Sequence, residues 1–275
     1  MTRRGFSLVE MMVSVILLCL VAGIAIRVLL RLNWSSTAAG ERGALQASLR
    51  GGALYLTGEL RELGGTPLDP DILVFAPESL TYRAMRGSGV ACRIANGQVS
   101  IELTSLTGYR SPQPGRDSLL LHQENNEWAP ADDRWLHLPI GSLSGGTCGG
   151  SPALTITTPF DTTAYPLHTF ASFAPLRTFE IMQIRLYQSG GDYWLGTRSV
   201  SGGEIIQPVI GPLSSRGLAM TYFDSLGGAA VSAGDIRSIG FTLRGLTAPV
   251  RTGGGYGSAA RLGDSLLTRV LLRNW

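Results

Sequence analysis

Glu10 is the residue most at odds with its surroundings. It stands in an apolar run from Phe6 to Ile26, 21 residues with no other charge. As a helix rising about 1.5 Å per residue the run spans roughly 31 Å, enough to cross the hydrocarbon core of a bilayer. A carboxylate in that setting costs several kcal/mol unless it finds a partner, so it is a functional group by default. A helix alone in lipid cannot satisfy Glu10, but a neighbouring copy shifted along the axis can bring its free amine beside the carboxylate. The attraction is stronger there than in water, and it is set against the hydration both groups lose. Ahead of the run stand Met1-Thr2-Arg3-Arg4 and then Gly5.

A short basic leader, a glycine, an aromatic residue, and a glutamate at the fifth position after the glycine resemble the class III leader of type IV prepilins. The resemblance implies cleavage by prepilin peptidase after Gly5, N-methylation of the new N-terminal Phe6, and an assembly role for Glu10 in contacts with other pilins. It also supplies an orientation: an inner-membrane anchor with the globular part extracytoplasmic, later drawn into a pilus or pseudopilus. Charge counting does not, because Arg3 and Arg4 on one side face Arg27 and Arg31 on the other. Two ordinary readings compete. Thr2-Arg3-Arg4-Gly5-Phe6 looks like a twin-arginine export signal, and Val21-Ala22-Gly23 like a signal peptidase site. Glu10 suits neither, and the run is longer than a cleavable signal needs.

Other reactive residues give weaker patterns. Cys19 lies in the apolar run and reads as a small hydrophobe. Cys92 and Cys148 are the only cysteines in the part expected outside the cytoplasm, where oxidising conditions favour a disulfide. The competing reading is a buried free thiol, with Cys92 beside Ile94 on the apolar side of a hairpin. His122, His137 and His168 fall in no metal-ligand spacing, no Gly-x-Ser-x-Gly elbow exists, and Gly253-Gly254-Gly255 is not followed by Lys-Ser or Lys-Thr. The oxygen-rich stretch Glu124 to Asp133 could bind calcium, but its spacing is not that of an EF-hand, and a solvated loop is the simpler reading. No catalytic residue, metal site or cofactor is expected, and the chain does not read as an enzyme. The net charge of +3 comes from 23 arginines with no lysine, spread without a basic tract. Nucleic acid is therefore the less supported partner.

The elements that must position these residues follow from periodicity. Beyond the apolar run, Leu45, Leu49, Leu56, Leu60 and Leu63 recur at helical spacing through an amphipathic segment that Gly64-Gly65-Thr66-Pro67 ends. Gly40, Gly43 and Gly51-Gly52 should weaken that helix or bend it. Continuous from Phe6 to Leu63, it would be about 87 Å long.

After Pro67 the period becomes that of strands. Asn96-Gly97 centres a hairpin from Val90 to Leu103 whose two-residue turn would pair Ile94 with Val99, Cys92 with Ile101 and Val90 with Leu103. Ser79 to Arg86 alternates Leu80, Tyr82 and Ala84. Asp117 to Gln123 and Arg134 to Leu138 read as short strands, and Gly141 to Pro152 as a long loop carrying Cys148. Gly190-Gly191 joins Phe179–Gln188 to Tyr193–Val200, with Tyr187 opposite Trp194 and Leu186 opposite Leu195. Glu204-Ile205-Ile206 continues the meander, and further strands are expected at Leu218–Tyr222, Ile236–Leu243 and Leu267–Leu272.

The expected organisation is α+β: a leader at 1–5, a transmembrane and assembly helix at 6–26, its amphipathic continuation at 27–65, and an antiparallel β-rich domain at 66–275. In this arrangement, and in its closing Thr268-Arg269-Val270-Leu271-Leu272-Arg273-Asn274, the chain resembles the PilW and GspJ branch of minor pilins and pseudopilins. The function so implied is that of a minor pilin subunit of a type IV pilus. The alternatives are a minor pseudopilin of a type II secretion system and a membrane-anchored exported binding domain.

Overall fold

The computed structural model describes residues 7–124, 133–171, 173–251 and 259–273. One helix, α1, runs from Leu8 to Arg61 without a break, 54 residues or about 81 Å. Ser7 takes the N-cap position with extended backbone. The helix ends where the sequence says it should: Gly65 has φ +101°, and the Asp71 amide donates to the Gly64 carbonyl. Only Gly fits there without strain, since a Cβ would press on the Asp69 carbonyl.

α1 stays helical through all of its glycines. Gly40, Gly43 and Gly51 face open space, whereas Gly52 is buried on the packed face, where a Cβ would overlap the Ile210 side chain. The expected local melting is not seen, and Gly52 is what allows helix and sheet to approach. On the sheet side Gly245 does the same, lying against Leu45 and Leu49.

After a short hairpin of β1 (Gly65–Thr66) and β2 (Asp69–Pro70) come β3 (Ile72–Ala76) and two spine strands, β4 (Ser79–Ala95) and β11 (Ala174–Ser189), antiparallel neighbours. Between them in sequence lie β5 (Gln98–Glu102), β6 (Thr107–Gly108), β7 (Ser118–Gln123), β8 (Arg134–Pro139), β9 (Ser142–Cys148) and β10 (Ser151–Thr157). After β11 a meander follows: β12 (Asp192–Ser199), β13 (Gln207–Phe223), β14 (Ser238–Leu246) and β15 (Gly263–Leu271). The strand path is β15-β14-β13-β12-β11-β4-β5-β10-β9, with β3 and β6 on β4, β7 on β11, and β8 on β7.

The spine strands pass through two separate cores. In the first, Leu45, Leu49, Leu56, Leu60 and Leu63 bury against residues such as Tyr82, Ile184, Leu218 and Phe241. The second holds Val99, Ile101, Leu119, Leu121, Ile156, Phe160 and Leu176, away from the helix. The apolar stripe of α1 therefore has its sheet from Leu45 onward, while Leu8 to Leu32 are exposed along the whole apolar run.

Registers predicted from turns hold near the turns. Tyr187 faces Trp194, Leu186 faces Leu195 and Ile94 faces Val99. Three expectations are corrected. A bulge between Ala91 and Arg93 puts Ala91, not Cys92, opposite Ile101, so the period-two alternation breaks at Cys92. The stretch Gly141 to Pro152 is largely the β9–β10 hairpin, turning at Gly149-Gly150 with both φ positive. Glu204-Ile205-Ile206 is not a strand, and the next one begins at Gln207.

Candidate assembly site

Gly5 and Phe6, the residues expected at the processing site, lie outside the described residues. Glu10 is in the first turn of α1, where the exposed amide ends of a helix favour a negative charge. Its backbone carbonyl accepts from Ser14 Oγ at 2.8 Å. Among the described residues no cation pairs with its carboxylate, and every side chain from Ser7 to Leu20 around it is exposed. Among the described residues, none covers this end of the helix. A 54-residue helix whose globular contacts begin at Leu45 presents its entire apolar portion, with one carboxylate in it, to whatever surrounds it. Cys19 is on the same bare surface.

Cys92 and Cys148 are joined in a disulfide, their Cα atoms 6.0 Å apart and 56 positions apart in sequence. Their strands are not neighbours: β5 and β10 lie between β4 and β9. Three strand spacings in a flat sheet would separate them by about 14 Å. The sheet must therefore roll so that the end of β9 returns to β4, around the second core. The bulge at Cys92 takes its side chain out of regular alternation, and its Sγ lies 3.3 Å from the Ser100 carbonyl. Reading the hairpin as regular, the sequence put Cys92 wholly on the buried side; the bulge is the local signal that periodicity missed.

The histidines sit apart. His137 Nε2 is 2.7 Å from Asp69 Oδ2, His122 packs edge-on to Trp135, and His168 lies in a 3-10 turn at Leu167–Thr169. Of the acidic stretch at 124–133, residues 125–132 are outside the described residues.

One constellation escaped sequence reading altogether. At the waist between the two cores, Glu180 on β11 is buried between Phe179 and Ile181, and arginines converge on it from β4 and from the loop before β7. Arg86 Nε donates to Oε1 at 2.5 Å, Arg116 Nε donates to Oε2 at 2.6 Å, and Ser199 Oγ donates to Oε2 at 3.0 Å. Arg86 reaches on to Glu59 of α1 at 3.5 Å, whose other oxygen accepts from Tyr82 at 2.8 Å. Arg110 forks onto Asp117, with Nη2 at 2.7 Å from Oδ1. Burial opposes the charge on Glu180, but the hydrogen bonds from Arg116 and Arg86 outweigh it and hold the carboxyl below the usual glutamate range. The network ties helix, spine and second lobe together. The available signal was a lone glutamate in Phe179-Glu180-Ile181-Met182, where a strand buried on both faces tolerates a charge only if it is paired.

Against known proteins, a family model described as the prokaryotic N-terminal methylation motif matches residues 1–26. No curated protein and no solved structure was found to match the chain. The motif supports a type IV pilin-like or pseudopilin protein, which is a structural subunit. It suggests processing by prepilin peptidase and assembly with other pilins, and with the apolar helix it fits anchoring in a membrane.

Proposed function

We propose that the chain is a minor pilin of the PilW-like kind, cut by prepilin peptidase after Gly5, N-methylated at Phe6, and built into a type IV pilus through α1. Before assembly the helix holds it in the inner membrane, with residues 66–275 outside the cytoplasm. The observation that carries this reading is Glu10: it is the one charge in an apolar surface that the fold leaves bare and, among the described residues, gives no partner. A buried carboxylate without a cation is unstable in lipid, and a staggered second subunit supplies the Phe6 amine at the right depth. The segment is then an anchor in the monomer and a docking element in the filament.

The deciding experiment is incorporation. Glu10→Ala should be processed and inserted in the membrane as well as wild type or better, since a charge has been removed from lipid. It should nevertheless be depleted from sheared filaments. Equal amounts of mutant and wild type in the filament fraction would remove the assembly role.

A further inference from the structure

An open trough runs along the flank of α1, outside both the assembly helix and the disulfide-closed lobe. Its larger part, about 490 Å³, has Leu54 and Gly58 of α1 on one wall and Tyr109 on the other. It shares Glu62, Met85, Arg86 and Tyr109 with a second recess of about 300 Å³ that ends at Ser88, Thr107 and Arg177. The far wall is built rather than incidental. The two-residue strand β6 seats tightly on β4 because Gly108, at φ +158°, and Gly87 have no side chains to hold them apart. The Tyr109 amide then donates to the Arg86 carbonyl at 3.0 Å, which fixes the tyrosine at the rim, where the residue is 82% exposed.

The chemistry of the lining selects a ligand class. The charged groups facing the trough are Glu59, Glu62 and Glu180 against Arg86, Arg110 and Arg177, three of each sign. They present no net charge to attract a polyanion. Glu180, Arg86 and Arg110 are taken up in the buried network, so Glu59, Glu62 and Arg177 line the surface of the trough beside the Ser88 and Thr107 hydroxyls, 3.1 Å apart. Arg177 is held from behind by the Trp135 ring, 5.2 Å from its guanidinium carbon. An exposed aromatic ring, an open shape and a lining of hydroxyls with charges of both signs match a chain with apolar ring faces and many hydroxyls.

We propose that this trough binds a linear, uncharged oligosaccharide, with Tyr109 stacking on a sugar ring and Ser88, Thr107 and Arg177 bonding its hydroxyls. This is independent of the assembly role of α1. The detergent-solubilised full chain is titrated with cellohexaose and, separately, with chitohexaose, followed by calorimetry. At least one should bind saturably below about 1 mM. Tyr109→Ala, which removes a side chain the fold does not use, should weaken that binding about tenfold, while Tyr109→Phe should keep it within about twofold. Absence of saturable binding by both sugars, or equal affinity in Tyr109→Ala, overturns the proposal. So does binding of a dT dodecamer in their place, which would make the surface one for polyanions.

Discussion

Gly52 of α1 lies so close to Ile210 of β13 that a Cβ at that position would overlap the Ile210 Cδ1 atom and stand 3.1 Å from its Cγ1. Its neighbour Gly51 faces open space. Two adjacent glycines in one helix thus have opposite reasons to exist. Gly51→Ala should stabilise the protein by up to about 1 kcal/mol through helix propensity. Gly52→Leu should destabilise it by about 1–3 kcal/mol by overpacking, and Ile210→Ala in the same chain should recover part of the loss. Denaturant unfolding of the solubilised variants decides between them; a stabilised Gly52→Leu would mean the helix does not seat on β13 as described.

The Cys92–Cys148 bridge closes a rolled sheet rather than joining adjacent strands. On the chain-entropy model a loop of that length contributes about 4 kcal/mol. Non-reducing mass spectrometry should show the two peptides linked. Cys148→Ser should lower stability by an amount of that order while leaving the helix-packed core intact by hydrogen exchange. Free reaction of both thiols with a label after denaturation without reductant would show that the bridge is absent.

Acid should loosen the waist. Glu180 has a folded-state pKa below its unfolded value, so its contribution is fully present above the unfolded value, about 4.3, and is lost as pH falls through the folded value. Unfolding measured from pH 7 down to pH 3 should show stability falling most steeply below about pH 4.5 in wild type. In Glu180→Gln that component should be missing, and the protein should already be weaker at pH 7, because Arg86 and Arg116 lose their shared acceptor. Parallel pH profiles in the two proteins would overturn the assignment.

Processing has an unusually clean readout, because the chain has no lysine and its α-amine is its single amine. In cells with prepilin peptidase, an amine-reactive label that accepts secondary amines should mark a peptide beginning at Phe6 that also carries one methyl group on the labelled nitrogen. In Gly5→Trp it should mark Met1 on an uncut precursor. Sequencing that finds Met1, or a start near Ile24, in the wild-type membrane protein counts against the cleavage reading.

The sequence by itself determined the elements whose signals are local. The apolar run with Glu10 inside it, the leucine stripe from Leu45 to Leu63, the stop at Gly64-Gly65 and the registers beside Asn96-Gly97 and Gly190-Gly191 all rest on residues within a turn or two of one another. Such spacings act before any tertiary contact exists. The α+β class followed from the change of period after Pro67. What only the tertiary structure decided is non-local. The bulge at Cys92 and the return of β9 to β4 join residues 56 positions apart, which no hairpin pattern encodes. Gly52 and Gly51 are identical in sequence terms and differ only in whether Ile210, 158 positions away, stands opposite. The pairing of Glu180 with Arg86 and Arg116 joins three distant segments, and a charge can be kept out of water only where all three arrive together.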